Sequence, residues 1–245
     1  MHITTQGLVL RETNYKEADK ILTVLTREGG KRTVKARGCR RKNSPLAASA
    51  QLLVWSDMTL FEYRDYFTLN EAEALELFWG VRQDVEKLAL CSYFAEVTEL
   101  VAEEGRPDAG LLPLILNSMY ALDKQKKSLP LVKAAFELKL LCLAGYEPLL
   151  DACAVCGLPE PEQPALDLAE GVLRCGHCGS GGGPARVLDT AAPAAMRHVV
   201  YGDPKRLFSF ALPPESLSRM AAACEGFLLA QLDRGFRTLD FYKTL

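Results

Sequence analysis

Two cysteine pairs constrain this chain more than any other feature. Cys153-Ala-Val-Cys156-Gly157 and Cys175-Gly-His-Cys178-Gly179 both read C-x2-C-G, with 18 residues between them. Two residues between cysteines let both thiolates turn back onto one ion, and the glycine that follows permits the tight turn this needs. Four sulfurs fill a tetrahedral ion and leave no open position for water or substrate, so the spacing predicts one structural zinc on Cys153, Cys156, Cys175 and Cys178. A redox C-x-x-C would want a strand-helix-strand setting, which the flanking sequence lacks, and disulfides are disfavoured in a reducing compartment. His177, between two ligands, reads as a bystander. Cys91, Cys142 and Cys224 lie in apolar helical stretches and read as core residues, whereas Cys39 falls in a basic strand.

That basic stretch is the second constraint. Residues 27–42 carry eight cations (Arg27, Lys31, Arg32, Lys35, Arg37, Arg40, Arg41, Lys42) against Glu28, a local charge of +7 in a chain whose net charge is −2. The rest of the chain therefore sums to −9. A surface that faces a polyanion on an otherwise acidic protein follows. If residues 31–41 form one extended strand, Lys31, Thr33, Lys35, Arg37, Cys39 and Arg41 share one face and Val34, Ala36 and Gly38 the other, a cationic wall backed by small apolar groups.

The pattern around it is strand-like from residue 3 to about 76. Runs at residues 7–10, 21–25, 33–36, 52–55 with 58–63, and 66–69 are rich in β-branched and aromatic residues. Gly29-Gly30 and Arg64-Asp65 read as hairpin turns. Five short strands with these hairpins predict a five-stranded OB-type barrel, although an SH3-like barrel would have a similar count. Tyr15 and Lys16 in the first loop, and Tyr63, Arg64 and Tyr66 in the last, would flank the groove where such a barrel holds a ligand. About five phosphates engaged on a single strand give a log-log salt slope of roughly −3.5.

Past Gly80 the period changes from 2 to 3.6. Apolar stripes predict a helix from Val81 to Val101 ended by Gly105-Arg-Pro107, then helices over 111–122, 131–144, 191–200 and 213–234. Residues 151–186 lose periodicity and gather Gly, Pro and Cys. The fold class is α+β: an OB barrel at 1–79, a helical domain at 80–150 and 187–245, and the zinc module inserted at 151–186.

No H-E-x-x-H, G-x-S-x-G, Walker or dinucleotide motif occurs, and there are only three histidines, so the reading is a binding protein rather than an enzyme. A leader with a cationic and an apolar region is missing, as is any run of about 18 apolar residues, which predicts a cytoplasmic protein without a membrane span.

Three segments carry a family resemblance: G-L-V-L followed by Y-K-E-A-D-K-I-L-T-V-L-T (residues 7–26), G-C-R-R-K-N-S (38–44) and L-A-G-Y-E-P-L-L-D-A-C-A-V-C-G (143–157). In them the chain resembles the RecO family, bacterial recombination mediators of DNA repair, across nearly its full length. The resemblance implies an OB domain, a helical domain and a four-cysteine zinc module. It also implies binding of single- and double-stranded DNA, annealing of complementary strands, and help in loading recombinase onto DNA coated with single-strand-binding protein. Partners would be RecR and the acidic C-terminal tail of the single-strand-binding protein, at a nucleoid-associated location. The DNA role falls on Lys35, Arg37, Arg40, Arg41 and Lys42, with Lys31, Arg11 and Lys16 as further candidates; Lys126, Lys127, Lys133 and Lys139 are the candidates for an acidic peptide. The alternative is a protein-protein adaptor with only incidental DNA contact.

Overall fold

The computed structural model describes residues 1–64, 66–179 and 181–245. The chain folds as two compact units, 1–124 with 236–245, and 125–235.

The first unit begins with five strands, β1 (His2–Tyr15), β2 (Asp19–Thr26), β3 (Gly30–Ala36), β4 (Trp55–Tyr63) and β5 (Tyr66–Glu76). They close in the order β1-β2-β3-β5-β4, with β3 and β5 parallel and the other pairs antiparallel. This is the expected OB-type barrel. Closure gives every strand a neighbour on both sides, and alternating side chains fill the interior: Leu22, Val24, Val34, Met58, Leu60 and Leu69 are all buried. The predicted turn at Arg64-Asp65 falls partly on Asp65, outside the described residues.

Two strands run past their apolar cores. β1 serves both neighbours, pairing with β4 from His2 to Leu8 and with β2 from Gly7 to Tyr15, with a register shift between Val9 and Arg11. Its polar end, Arg11 to Tyr15, is held by the β2 ladder rather than by burial. β5 likewise continues through Asn70-Glu-Ala-Glu-Ala-Leu-Glu76, a helix-prone composition that β4 nevertheless pairs.

The predicted strand over residues 31–41 is shorter. β3 stops at Ala36 because Gly38 takes φ +62°, a left-handed conformation that breaks the extended chain, and the turn is pinned by the Gly38 N–H donating 2.9 Å to Asp19 Oδ1. Alternation therefore ends there. Cys39, expected on the cationic face, is buried in the barrel core instead.

The expected helix from Val81 is two: α1 (Trp79–Arg82) and α2 (Val85–Val101). Asp84 separates them as an N-cap, its Oδ1 accepting from the Glu86 and Lys87 N–H groups at 3.1 and 3.2 Å. On α2, Leu90, Phe94 and Val97 are fully buried, each contributing about 1.5–3 kcal/mol. α3 (Leu111–Asp123) and a short C-terminal helix, α7 (Arg237–Tyr242), complete this unit. The α7 segment is too short for a periodic signal.

The second unit packs α4 (Leu129–Leu143), α5 (Ala192–Tyr201) and α6 (Pro214–Gln231) around a small sheet of β6 (Ala165–Asp167), β7 (Val172–Arg174) and β8 (Ala185–Val187), ordered β7-β6-β8. Hydrogen bonds and packing tie the cysteine segment to these helices. Gln231 Nε2 donates to the Leu168 and Ala169 carbonyls at 2.9 Å, Arg197 donates to Leu150 O at 3.0 Å, and Phe227 lies against Gly171. Among the described residues no helix is long and apolar enough to cross a membrane.

Candidate metal centre and nucleic-acid interface

The four cysteines converge. Cys153 and Cys175 each open a turn in which the peptide N–H of the glycine four residues on returns to the cysteine carbonyl, Gly157 to Cys153 at 2.9 Å and Gly179 to Cys175 at 3.2 Å. Both glycines have positive φ, +75° and +73°. The two turns are brought together by backbone pairing around β7: Ala154 N–H donates to Leu173 O and Leu173 N–H to Leu149 O. All four sulfurs lie within 4.8 Å of one another, and Cys156 and Cys175 are 3.8 Å apart. A tetrahedral zinc with bonds of about 2.3 Å requires sulfurs about 3.8 Å apart, so this cage fits a metal ion.

Local electrostatics already favour a thiolate there. The N–H groups of Cys156 and Val155 lower the Cys153 thiol to about 6. Cys178 is pushed up to about 12, first by its hydrogen bonds to Cys175 and Cys156, because thiols this close cannot all ionise without a cation between them. The remaining cysteines behave as core groups: burial raises Cys39, Cys91, Cys142 and Cys224.

The cations divide into two sets. Lys16, Lys35, Arg37, Arg40, Arg41 and Lys42 gather at the barrel end formed by the β1–β2 turn and the segment after β3. The backbone joins these pieces, with Arg40 N–H donating to Ala18 O at 3.0 Å and the Arg40 guanidinium to Lys16 O at 3.5 Å. Tyr15, 42% exposed, lies beneath both Lys35 and Lys16, whose ammonium groups sit 4.9 and 5.5 Å from its ring centre. Lys35 also pairs with Asp19 at 3.2 Å. The Gly38 N–H first, and then Lys35, hold Asp19 below the usual carboxylate range. Lys16, Arg37, Arg40, Arg41 and Lys42 are exposed and make no ion pair among the described residues.

Lys31 and Arg11 are placed elsewhere. Both meet the end of α2: Lys31 Nζ donates to Glu99 O at 2.7 Å, and Arg11 Nε donates to both Glu99 carboxylate oxygens at 2.9 and 3.0 Å. The first half of β3 is covered too, with Lys31 N–H on Glu103 O and Gly105 N–H on Lys31 O. Alternation separated inner from outer positions within β3 as far as Ala36, but could not show that Glu99, 68 residues downstream of Lys31, lies over part of the outer face.

Tyr63 and Tyr66 are 59% and 78% exposed, and Arg64 stacks on Tyr63 at 5.2 Å. The register sets Phe67 beside Val34, so this hairpin borders the β3 face near its middle. Sequence reading missed the Arg32 stack on Phe67, at 4.8 Å.

The lysines read as an acidic-peptide surface are corrected in part. Lys133 is buried, pairing with Glu137 and Glu225 at 2.7 Å each. Burial works against its charge, but these carboxylates outweigh it and hold the ammonium above its usual value. Lys139 is half-buried and bonded to Val200 O at 2.9 Å. Lys126 is exposed and Lys127 half-exposed.

The sequence matches the family model described as Recombination protein O N terminal over residues 1–78, and that described as Recombination protein O C terminal over residues 82–240. A DNA repair protein RecO of Acetivibrio thermocellus is 31% identical over 100% of this chain and 97% of its own length. One from Symbiobacterium thermophilum is 33% identical over 98% of this chain and 96% of its own, and one from Bacillus pumilus 32% over 88% and 84%. With a barrel and a four-cysteine cage in place and both family models covering it almost end to end, the chain belongs to the RecO family of DNA repair proteins.

Proposed function

We propose that the chain is a non-catalytic DNA-binding mediator that anneals strands and helps load recombinase onto single-stranded DNA coated with single-strand-binding protein. The observation that carries this is the gathering of Lys16, Arg37, Arg40, Arg41 and Lys42, all exposed and without carboxylate partners among the described residues, around one end of a closed barrel beside exposed Tyr15. Exposed cations follow a phosphate backbone, and a ring among them offers a stacking surface. Arg11 and Lys31 take a lesser part because Glu99 engages them. The charged side chains sit on turns rather than on a helix fit for the major groove, so sequence preference should be slight.

In this reading the cage holds one zinc, on Cys153, Cys156, Cys175 and Cys178. The ion would supply no reaction, only cross-links that fix the two turns on β7. The division at 1–79, 80–150 with 187–245, and 151–186 is then one of roles: DNA contact, helical scaffold and metal brace. RecR and the acidic tail of the single-strand-binding protein are the partners, with exposed Lys126 and half-exposed Lys127 left as the charge for the tail. The setting is cytoplasmic, close to the nucleoid.

Annealing of complementary oligonucleotides tests the proposal. Arg37→Glu, Arg41→Glu and Lys42→Glu together should abolish annealing while the circular dichroism of the protein stays unchanged. Annealing at the unaltered rate would favour an adaptor whose DNA contact is incidental.

A further inference from the structure

The end of β3 leaves a hollow beside β5. The two strands run together only as far as Ala36 beside Leu69, after which Gly38 swings the chain away. Residues 37–46 return through successive turns, with Arg41 N–H donating to Gly38 O and Ser44 N–H to Arg41 O, both at 3.1 Å. Between this segment and β5 lies a space of about 570 Å³, lined by Arg37, Arg41 and Asn43 from the loop and by Thr68 and Asn70 from the strand. Leu46 and Leu69, 6% and 2% exposed, also border it.

Asn70 owes its place to a bulge. The β4–β5 register passes from Thr59 opposite Glu71 to Leu60 opposite Leu69, so Asn70 is the extra residue, and the β3–β5 pairing stops one position before it. A bulge re-aims a side chain out of the ladder, and this one puts an amide on the wall opposite two guanidinium groups.

We propose that this hollow takes one unstacked nucleobase of single-stranded DNA, an inference that rests on the DNA-binding reading of the same face. Its volume lies within the range of small-molecule sites, about 300–1,000 Å³. Arg37 and Arg41 follow the flanking phosphates, exposed Pro45 and the edge of Leu46 meet the ring, and the amides of Asn70 and Asn43 meet its edge. A site for phosphate alone would need neither the apolar border nor the neutral amides. An amide offers both a donor and an acceptor, so it can serve any base, in keeping with slight sequence preference. Duplex DNA keeps its bases stacked and cannot fill the hollow, so at this position single strands bind better.

The test uses the full chain and short adenine-rich strands in which 2-aminopurine, dark when stacked and bright when not, is moved position by position. Brightening on binding at one position is expected, together with weaker binding when that position is made abasic. Asn70→Ala should remove the brightening and weaken binding about threefold to tenfold, with the salt slope unchanged. If binding is salt-dependent but no position brightens and Asn70→Ala binds as the parent does, the hollow holds no base and this inference is wrong, while the DNA face stands. If the parent shows no salt-dependent binding at all, the DNA face itself is wrong and the hollow falls with it.

Discussion

The cysteine cage and the basic barrel end were both prominent in the sequence, yet they survive folding differently. All four cysteines arrive within 4.8 Å of one another. Of the eight cations assigned to DNA, six gather and two are drawn to Glu99. The difference lies in what each pattern encodes. A C-x2-C-G turn specifies its own local geometry, and β7 has only to bring two such turns together. A charged strand specifies which side of a sheet its groups occupy, not what packs on that side, and the groups are long enough to reach partners far away in the chain.

Losing the cage should have the largest consequence. Structural zinc sites in small modules are worth about 10–16 kcal/mol of apparent binding energy, and that binding is coupled to folding. Cys153→Ser should leave the protein without stoichiometric zinc and unfold residues 149–187, seen as rapid amide exchange of β6 and β7. Because the barrel belongs to the other compact unit, DNA affinity should persist; equal loss of both would erase the contrast between the two regions.

Next comes the buried charge of the second unit. Lys133→Met leaves the Glu137 and Glu225 carboxylates without the ammonium that pairs with both, and breaking a buried pair costs about 3–5 kcal/mol, read as a fall in the denaturant midpoint. Charge removal at the exposed barrel end should cost within about 0.5 kcal/mol per residue.

A smaller effect follows from pH. Asp19 is held below its ordinary range, so the stability it supplies is present above the unfolded carboxylate value of about 3.9 and is lost as pH falls through the lower folded value. Acidification through that window should speed amide exchange at Gly38, whose N–H Asp19 accepts, and Asp19→Asn should make that exchange independent of pH beyond its intrinsic trend. The smallest effect is expected from Arg11→Ala: its exposed pair with Glu99 is worth about 0–1 kcal/mol, and DNA affinity should change by less than a few fold.

Much of the fold was legible. Alternation located all five barrel strands, and the shift to a 3.6 period located α2 to α6. Other features were not. The polar half of β1 carries no apolar signal because ladder pairing, not burial, holds it, and the Asn70–Glu76 part of β5 offers only the small Ala72 and Ala74 at alternate positions, a faint strand pattern in a helix-prone composition. Asp84 broke a helix that apolar spacing alone ran through, since a cap acts through one side-chain hydrogen-bond pattern and leaves the stripe intact. Lys133 looked like surface charge because an i,i+4 pair with Glu137 is what an exposed helix face also shows, and the second partner, Glu225, is 92 residues away.

The most direct measurement is the salt dependence of single-strand binding, for the parent and for the triple Glu variant at Arg37, Arg41 and Lys42. Five exposed cations predict a log-log slope of about −3.5 for the parent, and the two that remain in the variant, Lys16 and Arg40, about −1.4. Equal slopes for the two proteins would mean that DNA is held somewhere else on the molecule.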